Sequence, residues 1–108
     1  MESGEVYSLA VWQVKAGKDK EFIAAWESFA RRTTKLQAGP VDGRLLRDFD
    51  RPQYFVSFGH WGNTEKLRSW LEQPEFKAFF ARAGELCDDI KPYTLKTVAY
   101  VAPHSMVG

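Results

Sequence analysis

Cysteine occurs once, at position 87, so the chain cannot close an internal disulfide, and no group of cysteines and histidines has zinc-site spacing. Cys87 itself reads as a small apolar residue on a helix. Charge of one sign is not in excess. Fifteen basic residues face fourteen acidic ones, the net charge is +1, and neither sign forms a block, which removes the electrostatic basis for nucleic-acid or anionic-membrane binding. Long hydrophobic runs are also missing: nothing approaches the roughly 18 apolar residues of a membrane span. The N-terminal MESGEVYSLAVWQV lacks a basic segment followed by an unbroken apolar run, so a cytoplasmic protein is expected. Repeats and low-complexity segments are absent. A chain of 108 residues with no compositional break fits one domain, with its core at about residues 5–102 and PHSMVG, residues 103–108, as a loose tail.

Aromatic residues, by contrast, are plentiful. Eight Phe, four Tyr and four Trp make up 15% of the chain within a hydrophobic share of 44%, which excludes disorder and calls for a bulky interior. EVYSLAVWQV, residues 5–14, is rich in β-branched and aromatic residues and stops at KAGK, so it reads as a strand and turn. From Lys18 onward, Phe22, Trp26, Phe29 and Leu36 fall on one stripe of an amphipathic helix that AGPVDG breaks. GRLLRDFD and DRPQYFVSFGHW form a hairpin turning near Asp50, Arg51 and Pro52. Asn63 or Thr64 caps a helix in which Leu67, Trp70 and Leu71 share a face. Pro74 starts another, with a stripe of Phe76, Phe79, Phe80, Ala83 and Leu86, ending before Lys91-Pro92. YTLKTVAYVA, residues 93–102, is the last strand.

The order β-α-β-β-α-α-β gives an α+β, ferredoxin-like fold with the helices on one face of a four-stranded antiparallel sheet. One feature does not suit an isolated two-layer domain. Residues 54–61 alternate Tyr54, Val56, Phe58 and His60 with Phe55, Ser57, Gly59 and Trp61, and both sets are largely apolar. A sheet with one wet face alternates apolar and polar residues. Helices cover one face, so a second subunit is expected on the other.

Over residues 6–101 the chain resembles the antibiotic biosynthesis monooxygenase (ABM) superfamily. The resemblance lies in a strand ending in VKAGK, the helix EFIAAWESFA, the GRLLRD strand, FVSFGHW, and the helical TEKLRSWLEQPEFKAFF. It implies a dimeric α+β barrel, in which two ferredoxin-like subunits pack sheet against sheet. It also implies one of several roles: cofactor-free oxygenases acting on anthrones or quinols, haem-degrading oxygenases, or proteins without established activity. Haem degraders of this kind use an Asn on the first strand, a Trp in the second helical region and a His shortly after it. Trp70 matches that Trp, but the Asn position falls at Ala10 and the His position at Phe80, so haem degradation is not expected.

The expected function is cofactor-independent monooxygenation of a small flat aromatic or quinol-like molecule held between helices and sheet, with no cofactor and no metal. Trp70, Trp61, Phe80 and Trp26 are the candidate substrate contacts, because an aromatic wall stacks on a flat ligand and an indole N–H adds a hydrogen bond. His60, the one histidine inside the expected fold, is the candidate general base. Arg47 and Tyr54 are the candidate stabilisers of an enolate or phenolate. Each has a plainer reading: packing for the aromatics, an interface position for His60, a solvated strand edge for Arg47. His60 and Trp61 are adjacent on one strand and face opposite ways unless a bulge intervenes. Gly59 marks such a bulge or leaves room for a ligand. The rival function is a non-catalytic ligand-binding or stress-related dimeric barrel. The expected partners are a second copy of the chain and a small aromatic molecule, with no nucleic acid and no membrane.

Overall fold

The computed structural model describes residues 5–35, 40 and 42–102. Strand β1, Val6–Val14, runs through the β-favouring sequence VYSLAVWQV and ends at a turn closed by Lys18 N–H donating to the Lys15 carbonyl at 3.0 Å. Gly17 takes a φ of +81° in that turn, which a residue without Cβ adopts at little cost. Helix α1, Asp19–Thr34, has Asp19 and Glu21 in its first turn and Arg31 and Arg32 in its last, both matched to the helix dipole. Strands β2, Asp42–Arg47, and β3, Tyr54–Trp61, follow. Helix α2, Thr64–Leu71, is capped by the Asn63 side chain, which accepts from Lys66 N–H at 2.9 Å. Pro74 opens helix α3, Pro74–Leu86, where its missing N–H costs nothing. Strand β4, Cys87–Lys96, closes the fold.

The sheet is antiparallel throughout in the order β2-β3-β1-β4, the ferredoxin-like arrangement anticipated from the element order. Strand alternation divides the central pair cleanly. Phe55, Ser57, Gly59 and Trp61 of β3 are buried toward the helices, as are Trp12 and Val14 of β1. Phe22 and Phe29 of α1, Leu67 and Trp70 of α2, and Phe79, Ala83 and Leu86 of α3 complete this core. Phe22, Phe55 and Trp61 are almost wholly buried. Withdrawing a phenylalanine ring from water stabilises the fold by about 2–3 kcal/mol, and the larger indole by more, before chain entropy is counted. No helix among the described residues is long and apolar enough to cross a membrane.

Four expectations need correction. The last strand begins at Cys87, not Tyr93, and residues 97–102 have no regular structure. Lys91-Pro92 lies inside β4 because β4 is an edge strand, where a residue without N–H leaves no internal ladder bond unmade. Cys87 accordingly leaves the helix: it is the extended residue that turns α3 directly into β4. Leu71 does not share the burial of Leu67 and Trp70, being 37% exposed. The hairpin strands are also shorter than expected, because the Asp48 carboxylate organises the turn. It accepts from Asp50 N–H and Arg51 N–H, both at 2.9 Å, and from the Arg51 guanidinium at 3.1 Å. Leu36, then Ala38, Gly39 and Val41 of the AGPVDG break, and the 103–108 tail with His104 lie outside the described residues.

The Arg51 amide, the Asp50 amide and the Arg51 side chain hold the Asp48 carboxyl below its ordinary value of 3.8. A depressed folded-state value means that this carboxylate's contribution is fully present above the ordinary carboxylate range. It is lost as pH falls through the lower, folded value. In acid melts, Asp48→Ala is therefore expected to be less stable than the parent at neutral pH and to converge with it at low pH. Parallel curves down to the lowest pH would show that the turn does not depend on the ionised carboxylate.

Candidate functional site

Between the helices and the sheet lies a cavity of about 460 Å³, within the roughly 300–1,000 Å³ usual for small-molecule sites. Its floor is the inner face of the two central strands: Ser8, Ala10 and Trp12 from β1, and Ser57, Gly59 and Trp61 from β3. Its roof comes from Trp26, Phe29 and Thr33 of α1, Leu67 and Trp70 of α2, and Phe76, Phe79 and Phe80 of α3. The floor stays open because its middle residues are small. Gly59 keeps the β1–β3 register unbroken, so it marks no bulge. A Cβ at that position would come within 3.2 Å of Ser8 Oγ and 3.5 Å of Trp61 Nε1.

The aromatic walls hold one another in place. Trp70 packs against Trp61 at 4.8 Å between ring centroids and against Phe76 at 4.7 Å, while Phe29 and Phe79 stack at 4.3 Å. Trp12 meets the edge of Phe79 at 5.7 Å. Trp70 thus belongs both to the core, at 9% exposure, and to the cavity wall. Among the described residues its indole N–H has no acceptor.

Polar atoms on the floor are few and ordered. Trp12 Nε1 donates to Ser57 Oγ at 2.8 Å, and Trp61 Nε1 donates to Ser8 Oγ at 3.0 Å. Among the described lining residues there is no carboxylate, imidazole, amine or guanidinium. No cluster of three potential metal ligands occurs among the described residues.

The aromatic residues singled out in the sequence, Trp70, Trp61, Phe80 and Trp26, all line this cavity. His60, Arg47 and Tyr54 do not, and strand geometry places them elsewhere. His60 is on the outer face of β3, stacked on Tyr7 at 4.8 Å with Nε2 3.4 Å from Glu5 Oε2. Tyr54 shares that face near the hairpin turn, beneath the Arg51 guanidinium at 4.4 Å. Arg47 faces inward at the end of β2, where it lines a second, smaller cavity with Trp26 and Phe55. Its guanidinium lies 4.9 Å over the Phe55 ring and pairs with Asp19 at 3.1 Å. Cys87 is not a nucleophile: burial, with a smaller contribution from the Asp88 charge, pushes its thiol up to about 11.

Sequence reasoning passed over Ser8, Trp12 and Ser57. The available signal was a small hydroxyl residue on the buried parity of a central strand, where a satisfied polar group must find its partner inside the protein.

The positions that would serve haem, Ala10 and Phe80, do line the cavity, but with a methyl and a phenyl group. With no imidazole in the described lining, the residues present do not fit haem ligation. Added haem is expected to give no histidine-ligated Soret band. A stoichiometric band abolished by His60→Ala would contradict the outward placement of that side chain.

The antibiotic biosynthesis monooxygenase family model matches residues 6–82. In fold, the chain is similar to SnoaB, described as a cofactor-independent oxygenase from Streptomyces nogalater, in its N63A mutant form. The TM-score is 0.83 at 21% identity, over 93% of this chain and 99% of that one. A conserved protein from Methanosarcina mazei Go1 aligns with a TM-score of 0.80 at 21% identity, over 87% and 93% of the two chains. A protein from Shewanella oneidensis aligns with a TM-score of 0.79 at 18% identity, over 89% and 93%. At such identities the likeness carries the fold and not the activity. A search of curated proteins finds no match.

Proposed function

The chain belongs to the antibiotic biosynthesis monooxygenase family, and from that premise we propose that it is a cofactor-independent monooxygenase. Its substrate is a small flat aromatic or quinol-like molecule held between helices and sheet. The observation that carries this reading is the cavity itself: room for a planar ligand, walls of stacked aromatic rings, and hydroxyl and indole groups at the floor. Trp70, Trp61, Phe80 and Trp26 are the proposed substrate contacts.

The chemistry suits such a lining. A reduced ring that has lost a proton is electron-rich enough to react with oxygen directly, and overall a ring CH₂ and one O₂ become a C=O and H₂O. The protein then contributes orientation, exclusion of bulk water and stabilisation of the substrate anion. With no carboxylate, imidazole or amine in the described lining, the proton leaves from an acidic substrate toward solvent and not to His60. A cytoplasmic setting is part of this proposal and accords with a free, buried cysteine.

A second copy of the chain is the proposed partner. Leu46, Tyr93 and Leu95 on the outer part of the sheet are 44–49% exposed, and Val98, Tyr100 and Val101 beyond β4 are 76–92% exposed. Apolar groups exposed at both edges of one sheet face and beyond β4 support an association surface. Light scattering at micromolar concentration is expected to show a homodimer, with an interface on the order of 2,000 Å² in total. A stable, folded monomer would refute it.

The same charge-free lining favours one alternative, a ligand-binding dimeric barrel without turnover, and oxygen consumption separates the two. With hydroquinones, naphthols and anthrones, uptake is expected to depend on the protein, survive chelators and dialysis, and rise with pH as the substrate ionises. His60→Ala is expected to leave the rate within about threefold, whereas loss of a general base costs about 10² or more. Binding of these compounds with uptake no faster than in buffer would establish the binding-protein reading instead.

A further inference from the structure

Resting on the reading of the cavity as a site for a flat phenolic ligand, we propose that Ser8 and Ser57 act together as a paired hydroxyl donor. They receive the phenolate or carbonyl oxygen of the ligand, so that the site selects planar molecules carrying oxygen on one edge.

An indole N–H donates and cannot accept. In both floor pairs, therefore, the serine oxygen is the acceptor, for Trp12 at 2.8 Å and for Trp61 at 3.0 Å. Each serine keeps its own hydroxyl proton. Neither donates that proton to any described residue. A hydroxyl that already accepts a hydrogen bond is polarised into a better donor, and the effect is larger where the surroundings are apolar.

Register brings the two hydroxyls together. Ser8 pairs with Gly59 and Ser57 pairs with Ala10, both on the inner face of β1 and β3. The serines are thus diagonal neighbours, within about 8 Å across an antiparallel ladder. The other two corners of that square are a glycine and an alanine, so no bulky side chain stands between the hydroxyls and a ligand lying over them. Gly59 matters here, since a Cβ would stand 3.2 Å from Ser8 Oγ, closer than ordinary contact.

Charge supplies the selectivity. An apolar cavity by itself disfavours an ionised ligand, and the described lining offers no cation to offset this. Anion stabilisation then falls to neutral donors. Selection is accordingly for oxygen-bearing rings, neutral or anionic.

The test uses 2-hydroxyanthraquinone, whose phenolate has its own visible absorption, and reads the ionisation midpoint of the bound dye. Ser57→Ala is expected to raise that midpoint by about one pH unit, and Ser8→Ala by a similar amount, each through loss of one hydrogen bond to the anion. Ser57→Thr, which keeps a hydroxyl, should retain the parental midpoint. Trp12→Phe breaks the same 2.8 Å bond but leaves the Ser57 proton free, so it should move the midpoint by less than half as much. Equal shifts in Ser57→Ala and Trp12→Phe would overturn the donor role and leave the bond as scaffold. If the serine variants fail to fold, Trp70→Phe decides, because it removes the other free donor of the wall among the described residues: the carbonyl stretch of bound 2-methylanthraquinone should still lie at lower frequency than in hexane. An unshifted band, or no binding of either dye, overturns the proposal. Oxygen uptake is scored separately. Midpoint shifts without turnover would uphold the hydroxyl pair and refute the oxygenase, and turnover without midpoint shifts would do the reverse.

Discussion

Everything in this molecule that bears on function depends on the alternation of side chains along the two central strands. Strands β1 and β3 are paired in one continuous register from Val6 opposite Trp61 to Gln13 opposite Tyr54. Within that register Ser8, Ala10, Trp12, Ser57, Gly59 and Trp61 form the cavity floor, while Tyr7 and His60 are sent to the far side. A slip of one residue would exchange the two sets completely. The bonds from Trp12 to Ser57 and from Trp61 to Ser8 oppose such a slip, because each joins one strand to the other through side chains on the inner face. The same two bonds hold the indole planes at the cavity wall and aim the serine hydroxyls away from the tryptophans.

A void beside the core works against stability, since its lining forgoes packing contacts. Aromatic rings limit that cost. Phe29, Phe79, Phe76, Trp70 and Trp61 brace one another across three helices and a strand, so the walls do not have to collapse inward to find neighbours. Small residues at Ala10 and Gly59 then keep the floor clear. The fold spends some stability on an open space at its centre, as functional sites commonly do.

The outer face follows a different logic. Its central residues are only partly covered, and the exposed apolar groups continue past the end of β4 into residues 97–102. Tyr7, His60 and Glu5 form a polar cluster at one edge of this surface. Chemistry proposed for the inner face and association proposed for the outer one are therefore carried by neighbouring residues of the same strands, and a substitution that disturbs one is separated from the other by a single peptide unit.

Much of this was legible in the sequence. The period of two in YFVSFGHW, the helical stripes of Phe22 and Phe29 and of Phe79, Ala83 and Leu86, and the Asn63 and Pro74 start signals identify elements by local chemistry alone. They determined the element order and thereby the fold. The start of β4 at Cys87 is hidden from the sequence because Lys91-Pro92 breaks a helix or an internal strand but not an edge strand, and edge status exists only once the sheet is assembled. The aromatic wall was foreseeable from residue type, whereas the polar chemistry was not. His60 was singled out for its intrinsic acidity, and the register turned it away. Ser8 and Ser57 carry no distinctive signal, and they acquire a role only from strand pairing that sets them 49 residues apart in sequence and diagonally adjacent in space. Residue type and local periodicity thus decided which elements form, and tertiary pairing alone decided which side chains meet, because hydrogen bonding and burial depend on position in space and not on separation along the chain.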